Sequence, residues 1–165
     1  MRMKLFGIII CTITLLTASF SFAETPKEAW MKIVKEAKAE VNSISAKELM
    51  TWIQESRDFR LVDVREKYEV SAAKIEASNF VNIPRGLLDP LAAKKGVLDV
   101  DETIVIYCKA GARGALAGHM LKRIGYKNVY NLEGGINEWI RAGNPVTNGL
   151  GTFKAVPYKL TGCAE

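Results

Sequence analysis

Four short apolar runs, separated by helix-length or loop material, constrain this chain more than any other feature. They cover residues 59–64, 80–83, 103–108 and 129–131. Such alternation predicts an α/β domain built on a mainly parallel central sheet, with helices covering both faces. One helix has a strong start signal. Ser45-Ala46-Lys47-Glu48 reads as a capping box in which hydroxyl and carboxylate satisfy reciprocal backbone N–H groups. Ile44 and Leu49 flank it at the positions of a hydrophobic staple. Gly125 and Gly143 stand where helices should stop, and Pro145 blocks continuation. Residues 27–41 read as an earlier helix with Trp30, Ile33, Val34, Ala37 and Val41 on one face, expected to pack on the domain. From Thr147 onward the pattern is weak, and the chain reads there as a tail.

The third run ends at Cys108, and a helical spacing follows at Leu116, Ala117, Met120, Leu121 and Ile124. A cysteine between strand and helix can face backbone N–H groups and the positive end of the helix dipole. Such surroundings favour the reactive thiolate. Gly111 allows the backbone to curl, while Lys109 and Arg113 bring positive charge near an anion. The local pattern leaves two readings open, a reactive thiolate or a buried cysteine at a strand end.

At 165 residues, 48% hydrophobic and 25% charged, the chain has the make-up of one soluble domain. Its start differs. Arg2 and Lys4 precede an uncharged run over residues 5–23 that closes on Ser21-Phe22-Ala23, the pattern of a signal peptide. Cleavage after Ala23 leaves no stable membrane span and predicts an exported protein, periplasmic or extracellular. The alternative is an N-terminal membrane anchor, since the run approaches the roughly 18 apolar residues of a spanning helix. Thr12, Thr14, Thr17, Ser19 and Ser21 dilute it and favour cleavage. Losing Arg2 and Lys4 from 23 basic side chains leaves 21 against 18 acidic ones, a net of +3. That balance argues against nucleic acid as a partner and is compatible with small anions. Cys11 leaves with the leader, so Cys108 and Cys163 remain. A structural bridge between them would consume the reactive group.

Four segments together resemble the rhodanese family of sulfurtransferases. The loop from Cys108 to Arg113 is similar to the family's active-site loop, a cysteine and an arginine separated by four residues. Leu61-Val62-Asp63-Val64-Arg65-Glu66 resembles its "(L/I)-(I/V)-D-V-R-E" strand end. Leu132-Glu133-Gly134-Gly135-Ile136 with Trp139 resembles its late "L-x-G-G" segment. Residues 82–89 resemble its "N-(I)-P" turn and the continuation of one subgroup. The matches follow family order over roughly residues 44–145. The implied organisation is a leader over 1–23, a helical extension over 24–43, a single rhodanese-like domain over 44–147 and a tail over 148–165.

The resemblance implies sulfur transfer without metal or cofactor. Cys108 would take the outer sulfur of a small anionic donor such as thiosulfate, and a thiol, cyanide or a redox or sulfur-acceptor protein would remove it. Lys109, Ala110, Gly111, Ala112 and Arg113 would cradle the sulfur, with Asp63 and Arg65 supporting. Phosphatases sharing this fold have five residues between cysteine and arginine, and the four here fit a tighter cradle. Arg113 either meets substrate or holds the loop through an ion pair, with Asp63 as its expected partner. His119 is expected on a solvated face, outside any Cys–His dyad, and Trp139 with Gly134 and Gly135 in packing and turn roles. The sequence departs from the family at Lys74, where histidine is common, and at Gly114, where serine or threonine is common. A sulfane-sulfur carrier needs the same loop as an enzyme, so those readings stay open. A non-catalytic interaction module is disfavoured by the retained Cys108, Gly111 and Arg113.

Overall fold

The computed structural model describes residues 24–94 and 96–156. The expected leader and Cys163 lie outside the described residues. The elements run α1 (Pro26–Glu40), β1 (Asn42–Ile44), α2 (Ala46–Gln54), β2 (Arg60–Asp63), α3 (Lys67–Ala72), β3 (Phe80–Asn82) and α4 (Arg85–Ala92). They continue as β4 (Thr103–Tyr107), α5 (Ala112–Arg123), β5 (Asn128–Leu132), α6 (Gly135–Arg141), β6 (Val146–Asn148) and β7 (Gly151–Phe153). Five strands form one sheet in the order β1-β5-β4-β2-β3, every neighbouring pair parallel.

Central β4 shows why its sequence is a continuous apolar run. Ile104 and Ile106 enter one core with Leu88 of α4 and Ala117 and Leu121 of α5. Val105 and Tyr107 enter the other core with Leu49 of α2 and Trp139 of α6. A strand buried on both faces has no solvent side on which to place polar residues.

Local signals explain the helix ends. Ser45 Oγ accepts a bond from Glu48 N at 3.1 Å, and Ile44 and Leu49 are both buried in one cluster, as a staple requires. Gly125 and Gly143 adopt left-handed φ of 106° and 77°. Tyr126 N donates to Leu121 O and Gly125 N to Lys122 O, which closes α5 as a Schellman motif. Asn144 N and Gly143 N close α6 in the same way, on Trp139 O and Ile140 O.

Two expectations are corrected. The helix over 27–41 forms, but its buried face is only Val34, Ala37 and Val41, while Trp30 and Ile33 are 45% and 51% exposed. That buried face packs along α5, where Gly118 leaves room for Val41. The segment after Thr147, read as an unpatterned tail, carries the antiparallel β6–β7 hairpin. The hairpin is tied to the domain by paired backbone bonds between Lys74 and Thr147. Three-residue strands are too short to carry a readable alternation. The same holds for β1, which the sequence did not signal. Among the described residues, no helix is long and apolar enough to cross a membrane.

Candidate active site

The chain leaves β2 toward β3 on one side and β4 toward β5 on the other. Loops leaving the carboxyl ends of β2 and β4 therefore diverge, and such a switch point opens a crevice in a parallel sheet. Asp63 at the end of β2 is in register with Tyr107, the residue before Cys108. The sheet thus brings Asp63, Arg65 and the Cys108 loop to one rim.

Cys108 is a free thiol, 1% exposed, and its Sγ accepts a bond from Gly111 N at 3.1 Å. Gly111, with φ of 92°, is the cap residue of α5, so the loop is a one-turn cradle over the helix start. The loop carbonyls are engaged elsewhere. Ile136 N donates to Cys108 O at 2.9 Å and Asn137 N to Lys109 O at 3.1 Å. With carbonyls turned to α6, the amide face of the loop is left for the sulfur. Gly135 is what lets α6 come so close. A Cβ there would collide with Cys108 O and lie 2.9 Å from the Lys109 carbonyl carbon, and its φ is 58°.

Arg113 does form an ion pair, but with Glu69 rather than Asp63. Its Nη1 and Nη2 donate to the two Glu69 carboxylate oxygens at 2.8 and 2.7 Å. The bonds from Arg113 hold the Glu69 pKa below its ordinary value, against the opposing effect of burial. They also raise that of Arg113. Asp63 is already taken. Its carboxylate accepts from Arg65 Nε at 3.0 Å and Nη2 at 2.6 Å, with Asp63 0% and Arg65 4% exposed. Burial works against the Arg65 charge, and the Asp63 carboxylate more than offsets it, so the pKa stands above its usual value. Arg65 Nη2 also donates to Ala73 O at 2.7 Å and Nη1 to Glu69 O at 3.3 Å, fixing α3 against the sheet end. The support therefore runs from Asp63 through Arg65 to α3, and from Glu69 on α3 to Arg113.

A groove of about 350 Å³ opens beside the loop, lined in part by Arg65, Tyr68, Glu69, Lys109, Asn137 and Ile140. Ala110 at the loop tip is exposed, and Lys109 and Ala112 are half-buried. His119 is not on a solvated face. It is half-buried against α1, with Nδ1 3.2 Å from Glu40 Oε2, and takes no part in the loop. Trp139 packs as expected, 1% exposed, donating Nε1–H to Pro145 O at 2.7 Å. Gly134 and Gly135 do more than turn the chain, because Gly135 seats α6 on the loop. Glu69 and Asn131 were not singled out from sequence. The one local signal for Glu69 is its place three residues after Glu66, whose N–H it caps at 3.1 Å. Among the described residues, no group of His, Cys, Asp and Glu could hold a metal ion.

A parallel sheet with a cysteine loop at its switch point defines a class, and the family model for the rhodanese-like domain matches residues 45–142. The chain belongs to that family. It is 34% identical over 106 residues to a "Sulfurtransferase" of Allochromatium vinosum, covering 64% of this chain and 94% of that one. The "Probable adenylyltransferase/sulfurtransferase MoeZ" of Mycobacterium tuberculosis is 32% identical over 109 residues, 65% of this chain. The match spans only 26% of that longer relative. Among solved structures, the polysulfide-sulfur transferase homodimer of Wolinella succinogenes superposes with a TM-score of 0.63 at 38% identity, covering 74% of this chain and 89% of that one.

Proposed function

We propose that this chain is a sulfurtransferase working through a persulfide on Cys108, with thiosulfate or a similar small anion as donor. The observation that carries the reading is the Gly111 N–H donated to the Cys108 sulfur within a cradle whose Cys108 and Lys109 carbonyls are tied to α6. The Cys108 thiolate attacks the outer sulfur of thiosulfate. The S–S bond of the donor breaks, sulfite leaves with its electron pair, and a Cys108 persulfide anion remains. Cyanide or a thiolate then attacks the outer sulfur, forming thiocyanate or a new persulfide and returning the Cys108 thiolate. Loop amides stabilise the anion at each stage. Lys109, at the groove beside the loop, brings positive charge toward an anionic donor. The leader pattern supports export to the periplasm or beyond, and on that reading N-terminal sequencing of the exported protein should begin at Glu24.

The test is intact-mass measurement before and after thiosulfate. The native chain should gain one sulfur atom that cyanide removes as thiocyanate. Cys108→Ser should gain none while keeping its circular dichroism, because the hydroxyl is far less nucleophilic at neutral pH. Turnover in that variant, or no gain in the native chain with any sulfane donor, would remove the mechanism.

A further inference from the structure

Among the described residues three polar side chains are buried outright. Asp63 and Arg65 satisfy each other. The third, Asn131 on β5, is 4% exposed and lies opposite Ile106 of β4. Its Nδ2 donates to Gly111 O at 3.2 Å, and its Oδ1 is buried with no partner. Burying an unsatisfied carboxamide oxygen is costly, so the side chain needs a reason to be there.

Gly114 and Gly111 supply one. A Cβ at Gly114 would collide with Asn131 Oδ1 and lie 3.7 Å from Cys108 N. The carboxamide thus occupies the gap between the end of β4 and the start of α5, where a side chain at residue 114 would stand. Gly111 has no Cβ to restrict it, and glycine alone samples many conformations. Its left-handed geometry aims N–H at the Cys108 sulfur, while its carbonyl accepts from Ala115 N at 3.0 Å as the first bond of α5 and from Asn131 Nδ2 as a second.

We propose that Asn131 is a positioning residue. By adding a second bond to the Gly111 carbonyl, from the sheet side and beside that of Ala115 N, it keeps the Gly111 N–H on the Cys108 sulfur, with Gly114 as the vacancy that admits it. The consequence for catalysis rests on the persulfide reading above. Asn131 touches no substrate and acts through the loop.

The experiment compares the native chain with Asn131→Ala and with the near-isosteric Asn131→Leu, should the alanine variant fold poorly. The Gly111 amide should exchange with solvent about tenfold faster in either variant, with β4 amides unchanged. With thiosulfate and cyanide, kcat should fall about tenfold while KM for thiosulfate holds, because alignment is lost rather than binding. Gly114→Ala should lower the thermal midpoint in the native background and lower it less beside Asn131→Ala, since the two positions share one space. Unchanged Gly111 protection in both Asn131 variants overturns the positioning role. Faster Gly111 exchange in a chain whose native form accepts no sulfur supports that role and overturns the sulfur-transfer reading instead.

Discussion

A guanidinium that gives one N–H to each oxygen of a carboxylate has little freedom left to follow a ligand. Arg113 is in that state, with Glu69 44 residues away in the chain. The pair ties the start of α5 to α3, and the charge Arg113 brings to the loop is balanced by Glu69. Glu69→Gln should lower stability at neutral pH by about 1–2 kcal/mol, the scale of a lost charged hydrogen bond in a half-exposed pair. The sign of the pH dependence follows from the lowered Glu69 pKa. The stabilisation is fully present above the ordinary carboxylate value of about 4.3 and is lost as pH falls through the lower folded value. Denaturant melts of native and variant should therefore differ at pH 7 and draw together only as pH falls below about 4. Cys108 and Arg113 were legible because they share one loop with a readable spacing. Glu69 was not, since nothing near it in sequence announces a partner two crossovers further along the chain.

Among the elements, α6 shows how one missing atom can decide a contact. Its first N–H groups hold the Cys108 and Lys109 carbonyls because Gly135 permits the approach. Gly135→Ala meets backbone, which cannot swing aside, and forces a side chain onto φ of 58°. It should cost about 2–3 kcal/mol or more and slow persulfide formation with it. Gly86 in α4 is the control, exposed and with nothing near its Cβ position. Gly86→Ala should be neutral or stabilising by about 0.5 kcal/mol, because it only restricts the unfolded chain. Thermal melts and thiosulfate mass gain measured on both variants separate the effects. The long apolar strands and glycine-closed helices were readable from sequence. β1 was not, because its pairing comes from register with distant β5, and β6 and β7 were not, because three residues on each arm of a hairpin show no readable alternation.

On the scale of the whole molecule, α1 stands before the family-matched residues and covers α5 from outside. It buries Val34 and Ala37, and Lys122 Nζ donates to Glu40 O at its end. A chain beginning at Asn42 should keep the sheet and the cysteine loop yet lose about 3 kcal/mol, the scale of one or two buried aliphatic side chains. Urea melts would measure the loss. A truncated chain that no longer takes up sulfur would show that α1 supports the loop through α5. The sequence by itself determined the layered parallel sheet, the start of α2, the ends of α5 and α6 and the segment that carries the thiol, because periodicity, caps and a contiguous loop are local properties. Only the tertiary structure decided that Trp30 and Ile33 of α1's apolar stripe stay in water, that Arg113 pairs with Glu69, and that Asn131, 20 residues from Gly111, bonds its carbonyl. Such partners meet only after the strands have taken their order in the sheet, and no spacing along the chain encodes that meeting.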